Sequence, residues 1–298
     1  MSVESQASSA SPSASPSASP RASLVSWARL RPDLWIRATE QAATLHHGAP
    51  PRVSEPSAPV REPLVRRLLD GALAAVWNAR RRTLPPSPPL TPTRWIWRLV
   101  GYYHLTSSTP ELLRLAAASF ERDGRTALAS WAKVRAREET GHDVLALRDL
   151  RAMGVEPERA VAALRPHPAE PLVAWFRAAA TAADPLPCVG YAYVVERLAM
   201  GTSAEDIRDV EACLPAGARA TRCMRVHSGV GSDADHVADT VAVVAGLSPS
   251  ERAAIARAVF EAALVCTAPP TEDAPTDASI RARLHAAGAC PPQSFGAG

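Results

Sequence analysis

Apolar residues at positions 64, 65, 68, 69, 72, 73, 76 and 77 keep the period of a helix with one buried face, from Leu64 to Trp77. The same period predicts helices over 94–106, 110–122, 125–153, 157–164, 170–182, 187–200, 203–213, 216–228, 231–245 and 249–265. Punctuation agrees with several of these limits. Gly154 follows the long 125–153 segment as a helix-ending glycine. Ser248-Pro249-Ser250-Glu251 reads as a capping box with proline in the first turn, and Ser108-Thr109-Pro110-Glu111 reads the same way. Residues 24–47 predict a further short helix carrying Trp27, Leu30, Trp35 and Ile36, interrupted at Pro32. No alternating pattern of useful strand length stands out, so the expected fold class is all-α, a helical bundle with short loops.

The ends differ from this middle. Residues 1–23 repeat Ser, Ala and Pro with almost nothing to bury, and are expected to be disordered. Pro-rich connectors occupy 48–62 and 85–92, and 267–298 returns to Pro, Gly, Thr and Ala as a flexible tail. The expected organisation is a disordered 1–23, N-terminal helices and linkers over 24–92, one bundle carrying a metal site over 93–266, and the tail. Net charge is +3, too small to argue for nucleic acid or an anionic membrane as partner. No apolar run reaches the length of a membrane span, and the start of the chain lacks the basic-then-apolar order of a signal peptide. Five cysteines without CxxC spacing argue against a disulfide framework and make a reducing cytoplasm the expected location. Monomer and homodimer are equally compatible with the chain.

Candidate chemistry centres on Arg137-Glu138-Glu139-Thr140-Gly141-His142-Asp143. Glu139 and His142 stand three apart, on one face of a continuous helix. Most other directions of 125–153 are apolar, and a buried carboxylate needs a partner or a metal. The competing reading puts this stripe in solvent, with Arg135 and Glu139 as an ion pair. Asp233-x-x-His236 repeats the spacing, with His227 upstream. An unbroken helix turns His227 away; Gly229 and Gly231 offer a break that swings it back. A plainer reading has Ser232 or Asp233 capping a helix and His236 packing. Glu196 lies in the apolar run 189–200, costly unless it meets a metal or an arginine. His104, beside Tyr102 and Tyr103, is open between a ligand, a donor supporting one, and a core residue; Glu138 is a further ligand or support.

In the order Glu139-x-x-His142, Glu196, His227, Asp233-x-x-His236, the chain resembles the heme-oxygenase-like diiron oxidases and oxygenases. These are often labelled iron-containing redox enzymes and share their helical fold with the TenA thiaminases and the PQQ-synthase oxidase. The similarity runs over residues 93–246. Glu138–Asp143 with Asp149-Leu150 and Gly154 is similar to the family's metal helix, and Tyr191-x-Tyr193-x-x-Glu196 to its central carboxylate helix. Two departures stand out. His104, not a glutamate, occupies the neighbourhood where some members place a ligand before the ExxH element. His227 is two residues further from Asp233 than in many members.

The resemblance implies two irons per chain, with O2 as co-substrate and a small molecule as substrate. Glu139 and His142 would hold one iron, Asp233 and His236 the other, Glu196 would bridge and His227 would complete the set. Three imidazoles and three carboxylates suit Fe(II) or Mn(II) better than zinc. The reactions implied are N-oxygenation, desaturation or C–C cleavage of an amino-acid or fatty-acid derivative, in specialised metabolism. Tyr102, Tyr103, Tyr191, Tyr193 and Trp131 are candidates for the pocket wall. Three alternatives remain: a metal-free TenA-like or PQQ-synthase-like enzyme using pocket carboxylates for acid–base work, a ferritin-like oxidase or storage protein with Glu111 as its first glutamate, and a non-catalytic helical module.

Overall fold

Alternation of period two, rather than 3.6, organises the first stretch of the chain. The computed structural model describes residues 25–48, 59–83, 88–229, 231, 233–268 and 275–290, with Asp233 described by its backbone alone. Here β1 (Ser26–Arg31), β2 (Leu34–Ala38) and β3 (Ala43–His47) form an antiparallel sheet in the order β1-β2-β3. This corrects the helix expected over 24–47. Ala28, Leu30, Leu34, Ile36 and Ala38 are buried, and Arg29, Arg31, Trp35 and Arg37 between them are more exposed. Such alternation fits a pleated surface with one face on a core, and Pro32-Asp33 makes the turn.

Among the described residues twelve helices follow: α1 (Glu62–Arg80), α2 (Pro92–Arg122), α3 (Thr126–Glu138), α4 (His142–Ala152), α5 (Pro157–Ala163), α6 (Ala169–Ala180), α7 (Pro187–Ala199), α8 (Ala204–Cys213), α9 (Arg222–Val226), α10 (Asp233–Ala245), α11 (Pro249–Cys266) and α12 (Asp277–Ala286). The helical bundle expected from the sequence is therefore present, with the small sheet added. The capping box at Ser248 and Glu251 forms with Pro249 in the first turn. The disorder expected over 1–23 lies outside the described residues, as do most of the first connector and residues 269–274 and 291–298 of the tail. Within that expected tail, α12 packs against α2 and α5, burying Ile280 and Leu284.

Three boundaries depart from expectation. Pro110 does not start a helix; it sits inside α2. Proline removes one backbone donor, yet buried residues on both sides, from Trp95 to Val100 and from Leu112 to Phe120, carry the helix through. The expected 125–153 helix breaks between α3 and α4, where Gly141 adopts φ 93°, left-handed backbone that favours glycine. The expected 216–228 helix shrinks to α9, ending at Val226 before His227.

Two cores result. The larger joins the sheet, α1, α7, α10, α11, α3 and the second half of α2; the smaller joins the first half of α2 with α5, α8, α9 and α12. Helix α2 runs through both, and its middle borders the cavity described below. Helix α7 is held close to α11 by Gly190, where an added Cβ would lie 2.7 Å from Ala258 Cβ and 2.9 Å from both Ile255 O and Val259 N. Two of these neighbours are backbone and cannot yield cheaply. Gly190→Ala is expected to lower unfolding stability by about 2–4 kcal/mol in urea titrations.

Candidate metal centre

Glu139 caps the C-terminus of α3, and His142 opens α4. They are not successive turns of one helix, as the spacing alone suggests. The left-handed Gly141 folds the chain so that His142 Nδ1 lies 3.1 Å from Glu139 Oε2. His227 joins them from the C-terminal end of α9: its ring centroid is 4.7 Å from that of His142, edge to face. One donor atom from each of Glu139, His142 and His227 lies within 4.8 Å of the others.

A tertiary contact explains how His227 arrives. Asp149, fully buried on α4, accepts from the Cys223 backbone N–H at 2.9 Å and from Arg222 Nη1 at 3.0 Å. It thereby caps the start of α9, whose own Thr221 makes no side-chain cap. The helix that presents His142 thus also anchors the short helix that presents His227. Burial pushes the Asp149 carboxyl up despite both bonds, so this anchor is a costly one to keep ionised. Asp149→Ala would leave the Cys223 N–H buried without its acceptor. The expected loss is about 2–3 kcal/mol of stability by urea denaturation, with weaker metal uptake through a misplaced His227.

A second group abuts the first. His236 on α10 is buried, with Nδ1 3.8 Å from Glu196 Oε1 on α7 and Nε2 3.7 Å from Glu138 Oε2. One cation can take only one of these nitrogens, so one carboxylate is left to orient the ring. Asp233 lies one turn before His236 on α10, and its side chain is outside the described residues. Glu139 connects the groups. Burial works to raise its carboxyl, but the hydrogen bond from His142 and the fields of His227, His142 and His236 outweigh it and hold the group below its ordinary value. A buried carboxylate held below its ordinary value among imidazoles is a donor set that could hold a cation.

The plainer reading of the Glu139 stripe, an ion pair with Arg135, does not describe this geometry, and the capping by Ser232 or Asp233 lies outside the described side chains. Arg135 pairs with Glu138 at 3.0 Å and Asp239 at 2.7 Å rather than with Glu139. Glu196 faces His236, and the nearest arginine on its helix, Arg197, is engaged by Asp70 at 2.9 Å. His104 stands apart: its Nε2 lies 3.0 Å from Leu164 O, with Arg165 beside it. Sequence reasoning did not identify Asp149 as the anchor of α9, nor Arg135 and Asp239 as the ion pair behind Glu138. Asp149 had one signal available, a carboxylate on the same face of its helix as the buried Ala146 and Leu150.

A cavity of about 120 Å³ adjoins the centre, bordered by Glu139, Glu196 and His227 and otherwise largely by apolar and aromatic side chains, among them Leu113, Phe176 and Val195. Of the five aromatics expected at its wall, Tyr102 and Tyr191 line it. Tyr193 instead donates to Asp70, and Trp131 to Thr240 on α10. Burial raises the Tyr102 phenol to about 12 and raises Tyr191 further, so both remain protonated donors at neutral pH.

Ligand atoms ~2.1 Å from one ion lie ~3–4.3 Å from one another. Glu139, His142 and His227 meet that spacing within a small side-chain adjustment. The nitrogen and oxygen donors, without thiolate, would suit iron or manganese, and two imidazoles with one carboxylate are also a zinc set.

No protein-family model matches the chain, and no curated protein matches it. Among the described residues, no helix is long and apolar enough to cross a membrane. Among the solved structures similar in fold are the following two. One is a domain of unknown function with a heme oxygenase-like fold from Shewanella denitrificans OS217, with TM-score 0.57 and 20% identity over 77% of this chain and 97% of that one. The other is a TenA homolog from Pseudomonas syringae pv. tomato DC3000, with TM-score 0.52 and 15% identity over 68% of this chain and 88% of that one. The chain has a heme oxygenase-like fold.

Proposed function

We propose that the chain is a non-heme diiron oxidase or oxygenase that uses O2 to oxidise a small molecule, by N-oxygenation, desaturation or C–C cleavage. The observation that carries this reading is the convergence of Glu139, His142 and His227 donors within 4.8 Å, beside an apolar cavity. Glu139, His142 and His227 would hold one ion. His236, Asp233 and Glu196 would hold the other. Iron held there would supply the redox chemistry toward O2 that no side chain here provides. The protein's own part is separate. Glu138 lies 3.7 Å from His236 Nε2, where its charge would favour one orientation of the ring, and is itself held by Arg135. The apolar wall excludes water, and the Tyr102 and Tyr191 hydroxyls offer protons for hydrogen bonding to a bound molecule.

The likeness to a TenA homolog supports a second reading, a metal-free enzyme of that kind. Against a nucleophilic version stands the absence of cysteine from the inner cavity lining. Cys266 lies on a neighbouring cavity, and burial lifts its thiol to about 11, which leaves little thiolate at neutral pH.

Loading the purified protein anaerobically with Fe(II) and then adding O2 separates the readings. O2 uptake proportional to bound iron, and lost in His142→Ala, is expected of the oxidase. Iron-loaded protein that consumes no O2 would contradict it.

A further inference from the structure

Trp77 ends the apolar stripe of α1, yet its indole does not join the core. Burial along that stripe runs from Leu64 to Val76 and stops there. Trp77 is 41% exposed, and among the described residues it makes no hydrogen bond, ring contact or cation contact. It stands instead on a cavity of about 770 Å³ framed by α1, α2 and the end of α7, a volume typical of small-molecule sites. Leu73, Leu198 and Met224 supply apolar lining, and an unbranched methionine adapts to the shape of what lies on it.

The polar groups of this cavity fall into two sets. Asp70 accepts from Tyr193 and Arg197 at 2.9 Å each, and Asp206 is engaged in the capping box with Ser203. Both carboxylates therefore have partners. Asn78 and Arg98 are exposed, and among the described residues neither side chain makes a hydrogen bond or an ion pair. The charge of Arg98 acts on the Tyr102 phenol, which lines the same cavity, so the guanidinium is on the cavity side of α2. A single exposed Trp or Arg is ordinary surface. An indole, an amide and a guanidinium without internal work on the walls of one cavity are a recognition set.

Each of the three prefers a different part of a ligand. An indole face stacks on a planar ring. A guanidinium matches a carboxylate or phosphate with parallel hydrogen bonds. The Asn78 amide, next to Trp77 in the chain, offers both a donor and an acceptor to a polar ring edge. We infer that this cavity is a second ligand site, which takes a planar aromatic ring carrying an anionic group, with the ring on Trp77 and the anion on Arg98. An aliphatic chain would leave the indole face unused, and an uncharged ring would leave Arg98 without a partner. A nucleotide and an aromatic acid share this chemistry. The site uses none of the metal-ligand residues and stands apart from the oxidase reading.

Isothermal titration of the full-length protein tests it, with adenosine monophosphate and 2-naphthoate as probes and adenosine and 2-naphthalenemethanol as their uncharged counterparts. At least one anion is expected to bind, about five- to tenfold more tightly than its counterpart. Arg98→Gln is expected to remove that difference and leave the uncharged probe unchanged. Trp77→Ala is expected to weaken both members of the pair more than about tenfold, and Trp77→Phe to retain most of the affinity. Both side chains are exposed, so the variants are expected to keep the fold, which circular dichroism checks. Binding of the nucleotide alone assigns the site to nucleotides, and binding of the naphthoate alone to aromatic acids; either supports it. No binding of either anion to wild type would overturn the site. Affinity unchanged in Trp77→Ala would overturn the ring assignment, and a preference for the anion that survives in Arg98→Gln would overturn the anion assignment.

Discussion

His227→Ala is expected to weaken Fe(II) binding at the Glu139 side of the centre by more than about 100-fold, with little change in the stability of the metal-free protein. His227 is one of three donors gathered within 4.8 Å, and the other two, Glu139 and His142, hydrogen-bond each other at 3.1 Å with or without it. Its loss therefore removes a ligand without dismantling the pair. The ring is half-buried and borders the cavity, so its truncation removes little buried apolar surface. Competition titration against a chelator of known iron affinity reads the first quantity, and urea denaturation of the metal-free protein reads the second. A His227 that merely packed on His142 would give the reverse result, a loss of stability with iron uptake unchanged.

Glu196→Gln is expected to reduce iron from two ions per chain to one. Glu196 is 7% exposed, and its carboxylate is 3.8 Å from His236. Glutamine keeps the shape but removes the charge that a ligand position requires. In the metal-free protein the same change relieves the desolvation of a buried carboxylate, so stability should change by no more than about 1 kcal/mol in either direction. A carboxylate serving only as a structural ion-pair partner would behave differently. Breaking such a buried pair costs about 3–5 kcal/mol. Iron stoichiometry together with the melting temperature of the metal-free protein separates the two roles, because a structural glutamate would lower the melting temperature and leave the iron count alone.

The helical part of the fold was legible because burial on one face of a helix leaves a period in the sequence. Leu64 through Val76 in α1 shows this, and nearly every buried position of that helix follows it. The sheet was misread because Trp27, Leu30, Trp35 and Ile36 also fit a loose helical spacing. The finer signal was Arg29, Arg31 and Arg37 interleaved with Ala28, Leu30, Ile36 and Ala38 about a Pro-Asp turn. Pro110 misled in the opposite sense. Its local chemistry favours a helix start, but burial on both sides of it in α2 overrides that preference.

In the site, Glu139 and His142 were found for a partly wrong reason. The three-residue spacing suggested one helical face, whereas the pairing depends on the left-handed Gly141 between α3 and α4. Three metal-capable side chains within 227–236 drew attention to His227, but spacing alone could not aim its ring. That placement comes from Asp149, more than seventy residues earlier, holding the start of α9. Long-range anchoring of this kind leaves no periodic trace. The same holds for the meeting of His236 with Glu196 and Glu138, which requires α10, α7 and α3 to converge.

The most direct test of the diiron assignment is the iron content of protein reconstituted anaerobically with Fe(II) and freed of excess metal, measured beside His142→Ala. Two irons per chain in the wild type and a sharp loss in the variant is the predicted result. No retained iron, or equal iron in both proteins, would contradict the assignment and leave a metal-free enzyme or a binding module on a heme oxygenase-like fold.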